Sequence, residues 1–188
     1  MNPSPYSSSE VWRAVSSGVP RKVTVVEGEG AYRRLAGGGW VFGRHLAPIG
    51  TVEPDPVAVA ERLLGVPYLW GGRTPLGIDC SGLVQLGLHR AGIPCPRDSD
   101  MQREEVGTWL SADGTGVAYR RGDILFFPGH VGFMLDGTDL LHATAYTMTV
   151  TVEPLADVAA RAGGITGVRR MECPRGADTA LGPGNAGV

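Results

Sequence analysis

No run of apolar residues in this chain approaches the length needed to cross a bilayer. The opening segment, MNPSPYSSSEVWRAVSSG, has neither the basic start nor the apolar stretch of a secretory signal. The first absence predicts no membrane partner. The second predicts a cytoplasmic protein, although a chain already trimmed of its signal would read the same way. Charge of one sign is equally scarce: 17 Lys and Arg against 19 Asp and Glu leave a net charge of -2, which offers no general attraction to nucleic acid or anionic lipid. Neither is expected as a partner, and nothing points to an obligate protein partner. Cysteine is sparse and irregular: Cys80, Cys95 and Cys173 are odd in number, make a poor disulfide framework, and fit free thiols in a reducing compartment. Internal repeats are missing too, which sets aside solenoids and propellers.

What is present is ordinary globular material, 43% hydrophobic and 19% charged over 188 residues, enough for a small module joined to one well-filled domain. Residues 1–10 are rich in Ser and Pro, and the tail RGADTALGPGNAGV lacks apolar residues, so both ends are expected to be unordered. Between residues 19 and 49, KVTVVEG and GGWVFGRHLAPI read as short strands of a small barrel separated by Gly-rich turns. The breaks in TVEPDPVAV place a boundary near residue 52. The expected organisation is therefore 1–52 as an unordered start plus a β module, 53–174 as the main domain, and 175–188 as a tail.

Three helices are predicted. One covers Val57 to Leu64, capped by Asp55 with Pro56 in its first position and stopped by Gly65. The next starts at Asp79 or Cys80 and runs to Ala91, with Gly92 in the left-handed C-terminal position; Cys80, Val84, Gly87, Leu88 and Ala91 then share its buried face. A short third helix lies in RDSDMQREEVG, where Ser99 and Gln102 have the spacing of a capping box. After residue 117, GDILFF, HVGFMLDG, DLLHAT, TMTVTVEPL and ITGVRRM read as strands. Helices followed by an antiparallel sheet make the fold class α+β.

Cys80 sits where a Gly-rich loop meets a helix start, and there the unpaired amides and the macrodipole favour a nucleophilic thiolate. Alternatively it is a small buried hydrophobe. The partner that decides between the two is a histidine. His130 and His142 lie on neighbouring strands joined by DGTD. A two-residue turn there would send them to opposite faces. A three-residue loop pairs Gly132 with His142 and leaves His130 diagonal to it on the same face, and this second register is expected. Cys80 as nucleophile, His130 as base and His142 as the residue that orients it then form a catalytic constellation. The same three side chains plus water could instead bind zinc, but no close ligand pair accompanies them and no cofactor is expected. His45 and His89 read as surface residues.

In order and spacing, PYLWGG, DCSGLVQ, PRDSDMQ, RGDILFF, HVGFML and LLHAT resemble the NlpC/P60 family of papain-like cysteine peptidases acting on bacterial cell-wall peptides, over about residues 54–172. The resemblance implies Cys80 as nucleophile, His130 as base and His142 as third polar residue. Within the family the match looks nearest the YkfC-like γ-D-glutamyl-L-diamino acid endopeptidases, which carry N-terminal bacterial SH3-like domains. It implies a papain-like NlpC/P60 fold after a small SH3-like β module, short enough to be incomplete. It also implies a substrate site lined by Tyr68, Trp70, Asp79, Ser81, Asp98 and Ser99, with Asp98 and Ser81 toward the free amine of L-Ala-γ-D-Glu-diamino acid (murein) peptides and Tyr68 and Trp70 as walls. Asp98 could also cap the third helix. Residues 19–49 are expected to close the amine end of the groove. The rival readings are a non-catalytic wall-peptide binder, an enzyme cutting the intact wall, and an acyltransferase, for which no amphipathic membrane segment is visible.

Overall fold

In the computed structural model, which describes residues 10–14 and 21–171, the β-rich N-terminal stretch forms β1 (Glu10–Ala14), β2 (Arg21–Glu29), β3 (Tyr32–Leu35), β4 (Trp40–Phe42) and β5 (Leu46–Pro48). They make one antiparallel sheet of order β4-β3-β2-β1-β5. Glu10, the last residue of the stretch expected to be unordered, lies in β1, which pairs with both β2 and β5. Residues 1–9, the tail 175–188 and Cys173 lie outside the described residues.

The second region begins with α1 (Pro56–Glu61), which starts one residue before and ends three residues before the expected bounds. The Asp55 carboxylate accepts from the amides of Val57 and Ala58, as its sequence position requires, but the chain passes into turns after Arg62 before Gly65 reverses it at φ +80°. A two-stranded ribbon, β6 (Arg73–Thr74) and β7 (Gly77–Ile78), leads into α2 (Cys80–Arg90). Then come α3 (Ser99–Glu105), β8 (Thr108–Ser111), β9 (Asp123–Phe127), β10 (His130–Met134), β11 (Asp139–Thr144), β12 (Thr149–Pro154), α4 (Leu155–Ala162) and β13 (Gly167–Arg170). Six of these strands form an antiparallel sheet of order β12-β11-β10-β9-β13-β8. The expected α+β class is observed, while β6, β7, β8 and α4 are additions to the predicted elements.

Alternation along the strands explains why DILFF is apolar throughout. Ile124 and Phe126 join Val131, Phe133, Leu141 and Ala143 in a core shared with α1 and α2, whereas Leu125 and Phe127 pack with Met134, Leu140 and the α4 residues Leu155 and Val158. The sheet is buried on both faces, and each fully buried Leu, Ile or Phe contributes about 1.5–3 kcal/mol. The expectation of one buried face on α2 is corrected: every residue except His89 is buried, because the helix is clasped between α1, the sheet and the loop before α3. Gly87 marks the tightest approach, since a Cβ there would lie 2.7 Å from the Pro56 carbonyl oxygen and 3.1 Å from the Phe133 ring. The predicted capping box is absent. The Gln102 amide nitrogen instead donates to the carbonyls of Ser81 and Pro96, both at 2.9 Å, tying α3 to the start of α2.

Candidate active site

The site is built on the loop that becomes α2. Asp79 is the N-cap: its carboxylate accepts from the Gly82 amide at 2.7 Å and the Gly71 amide at 2.8 Å, so one side chain closes the helix start and holds the preceding loop. Arg97 completes the arrangement with donors at 2.5 and 3.0 Å to the Asp79 carboxylate and 2.8 Å to the Ser81 hydroxyl, which itself donates to Asp79 at 3.3 Å. Burial alone would raise the Asp79 carboxyl, but the Arg97 guanidinium and the two amides outweigh it and hold it below its usual value. Gly82 is required for closeness: a Cβ there would stand 2.6 Å from the Gly72 carbonyl oxygen.

Cys80 follows Asp79 as the first residue of α2 and is buried. Burial pushes its thiol above the ordinary value, against the opposing pull of the backbone amides of Val131, Ser81 and Cys80 itself. The expected helix-start preference for thiolate is therefore outweighed by desolvation, because a charge at a closed site loses more in hydration than the helix end returns. The contact with the Val131 amide places the sulfur beside the first residues of β10.

His130 opens that strand. The Pro128-Gly129 turn, with Gly129 at φ +67°, has the residues of a type II turn and pairs His130 with Phe127. The following hairpin has the expected three-residue loop, Asp136 to Thr138, closed by a Leu135 amide bond to the Asp139 carbonyl and by the Asp136 carboxylate, which accepts from the amides of Thr138 and Asp139. Phe133 pairs with Leu141 and Met134 with Leu140, the register that sets Gly132 opposite His142. The two imidazoles share a face, with His130 Nε2 2.7 Å from His142 Nδ1. His142 is fully buried, and its Nε2 lies 3.0 Å from Glu153 Oε2. Burial, then His142 and Arg161, push His130 down to about 3; burial lowers His142 too, with Glu153 opposing. Thiol and imidazole are thus both neutral at rest.

A cavity of about 370 Å³ collects Tyr68, Trp70, Asp79, Ser81, Asp98 and Ser99 around Cys80, with Gly71, Arg97 and Gly129. Trp70 is 83% exposed, so it stands at the mouth rather than in a core. Tyr68 is half-buried, and burial followed by the nearby Cys80 and Asp79 raises its hydroxyl, keeping it a donor. Asp98 is exposed and occupies the N-cap position of α3 without any side-chain cap bond, which leaves its carboxylate to the cavity. Among the described residues, none from 19–49 lines this cavity, contrary to the expectation that they close its end. Both ring nitrogens of His142 are engaged in hydrogen bonds, Nδ1 with His130 and Nε2 with Glu153. Among the described residues no three His, Cys, Asp or Glu side chains are arranged as a metal site.

Sequence reasoning passed over Arg97, Glu153 and Arg161. A buried acid at a helix cap demands a cation, and Arg97 stood inside the quoted PRDSDMQ segment. Glu153 becomes a neighbour of His142 through the β11–β12 register, in which His142 pairs with Thr151, two residues earlier on the same face.

The NlpC/P60 family model matches residues 65–162. A dipeptidyl-peptidase 6 from Lysinibacillus sphaericus is 37% identical over 99 residues, covering 53% of this chain and 35% of that protein. A γ-D-glutamyl-L-lysine dipeptidyl-peptidase from Bacillus subtilis is 31% identical over 116 residues, covering 57% and 37%. The chain thus spans little more than a third of either relative. A crystal structure of an NlpC/P60 family protein from Bacillus cereus superposes with a TM-score of 0.71 at 19% identity, over 88% of this chain and 64% of that one, a likeness of fold.

Proposed function

Since the chain belongs to the NlpC/P60 family, we propose that it is a cysteine endopeptidase that hydrolyses the bond between γ-D-Glu and a diamino acid in murein peptides bearing a free N-terminal L-Ala. The observation that carries this reading is the convergence, in one cavity, of the Cys80 thiol at a helix start with Tyr68, Ser81, Asp98 and Gly129, the last of which immediately precedes His130, itself hydrogen-bonded to His142. The name of the Bacillus subtilis relative supports the bond chosen.

The resting pair is neutral, so attack and proton transfer go together. As Cys80 Sγ bonds to the γ-amide carbonyl carbon, its proton passes to His130. The carbonyl oxygen becomes an oxyanion facing the Cys80 amide and the Tyr68 hydroxyl. His130 returns the proton to the departing amine of the diamino acid, leaving a thioester on Cys80. Water, deprotonated by His130, then releases the γ-D-Glu carboxylate and restores the thiol. His142 keeps the base ring oriented throughout, and no cofactor enters the cycle.

Asp98 supports the free-amine requirement, as a carboxylate open to the cavity and able to pair with an ammonium. We assign the sheet of residues 10–48 as an SH3-like module, a reading supported by its five short antiparallel strands in the order β4-β3-β2-β1-β5. A cytoplasmic role on released wall fragments goes with the free amine. The open mouth at Trp70, with no wall from the described residues of 19–49, favours a second reading in which a longer, glycan-linked peptide is cut.

Mass analysis of L-Ala-γ-D-Glu-diamino acid peptides after incubation separates these. Expected are cleavage at the γ-D-Glu bond, loss of turnover in Cys80→Ser with its fold retained, and poor cleavage of the N-acetylated peptide. Near wild-type turnover in Cys80→Ser would remove the nucleophile assignment. Equal cleavage of acetylated and free peptides would replace recycling with wall lysis.

A further inference from the structure

Two histidines in contact can share a proton in either direction, and the hydrogen bond between them does not say which. The direction is decided one residue further on. Glu153 Oε2, 3.0 Å from His142 Nε2, also accepts from Arg161 Nη2 at 2.9 Å. A carboxylate oxygen in that position only accepts, so the proton lies on His142 Nε2. A neutral imidazole has one N–H, which leaves His142 Nδ1 as a lone pair. His130 Nε2, 2.7 Å away, is then the donor, and His130 Nδ1 is bare.

A bare Nδ1 is what His130 needs in order to take the thiol proton. With the chain reversed, His142 would donate from Nδ1 to His130 Nε2, and the proton on His130 Nδ1 would block the base. The bond between the rings is the same in both directions, and burial keeps both rings neutral, so nothing within the pair selects one. We infer that Glu153, held by Arg161, is a positioning residue that selects the tautomers of His142 and His130 and thereby keeps His130 competent as a base. This inference rests on the thiol-hydrolase reading above.

The fold supplies the geometry. Glu153 lies on β12 diagonal to His142, and α4 begins at Leu155 and returns Arg161 over the carboxylate. The Arg161 guanidinium is fixed in turn 4.0 Å above the Tyr146 ring. The charged or titratable groups facing the histidine pair are Glu153 from β12 and Arg161 from α4, while the Cys80 thiol at the start of α2 meets the backbone amide of Val131, the residue after His130.

The test compares the full-length wild type with Glu153→Ala and Glu153→Gln. Steady-state rates are measured on L-Ala-γ-D-Glu-diamino acid, with thermal melting of each variant and 15N NMR of the histidine rings. Glu153→Ala should lower kcat about 10- to 100-fold. KM should stay within about twofold, because Glu153 does not line the cavity. The His142 resonances should move from Nε2-protonated toward Nδ1-protonated. Glu153→Gln keeps an acceptor oxygen but not the charge. It should hold the wild-type tautomers, recover much of kcat, and shift the acid limb of kcat/KM to lower pH, because the charge that favours imidazolium is gone. A folded Glu153→Ala with kcat within about twofold of wild type, or a wild-type His142 protonated on Nδ1, overturns the inference. A wild type with the stated tautomers that cleaves nothing overturns the proposed function and leaves the tautomer assignment standing.

Discussion

Replacing Arg97 with Met keeps most of the side-chain bulk and removes the guanidinium that faces Asp79. The Asp79 side chain is 9% exposed and that of Arg97 25%. Breaking a buried pair by removing one partner costs about 3–5 kcal/mol when the remaining charge has nothing else. Here the carboxylate keeps the Gly71 and Gly82 amides and the Ser81 hydroxyl, and solvent screens the partly exposed guanidinium, so the loss should be nearer 2–3 kcal/mol. Urea denaturation at pH 7 measures it. The sign of the pH dependence follows from the carboxyl group. Paired, Asp79 is held below 3.8 and adds stability that is present above that pH and lost as pH falls through its folded value. Without Arg97 the desolvation of the carboxylate loses its largest counterweight, so less of that stability remains above 3.8. The gap between wild type and Arg97→Met should therefore be widest near neutrality and narrow below about pH 4. Adding Asp79→Asn should recover part of the loss, with a coupling of about 1–2 kcal/mol. A cost below about 0.5 kcal/mol, or strict additivity in the cycle, would refute the claim that this pair holds the helix start.

Burial of His130 has its own acid signature. Its imidazole stays neutral down to about 3 against the ordinary 6.5, so the stability it confers is complete above pH 6.5 and is lost as pH falls toward 3, at about 1.4 kcal/mol per pH unit and at most roughly 5 in all. His130→Asn should flatten melting temperature against pH in that window, and superimposable wild-type and variant curves would contradict this. Gly87→Ala should destabilise by up to about 2 kcal/mol net. The helix gains about 1 kcal/mol from losing glycine, but a Cβ 2.7 Å from the Pro56 carbonyl overpacks the contact with α1 by about 1–3; a rise in melting temperature would show that α1 yields freely. Asp55→Ala removes an acceptor for two amides and should cost about 1–2 kcal/mol by chemical denaturation, with its half-exposed ion pair to Arg121 adding little. An unchanged midpoint would reject the cap.

Short-range chemistry made much of this protein legible without coordinates. Asp55 before Pro56, Asp79 before Cys80 and Gly92 after Ala91 mark helix ends because caps and left-handed glycines act within one turn of the chain. The DGTD loop set the β10–β11 register, and with it the meeting of His130 and His142, because a hairpin is a local object. Helix α4 was hidden because it follows β12 without a capping side chain, so the apolar Leu155 read as the end of a strand, although Leu155 and Val158 have helical spacing and Gly163 ends the helix at φ +83°. The capping box failed at Gln102 because the buried carbonyls of Ser81 and Pro96 outcompete a solvent-side cap. What only the tertiary structure decided is electrostatic. Arg97 reaches Asp79 from the loop before α3, Glu153 and Arg161 stand behind His142, and enough protein closes over Cys80 and His130 to disfavour the charged form of each. Such pairings depend on where separate elements pack and how much water they exclude, and neither quantity is a property of any short stretch of chain.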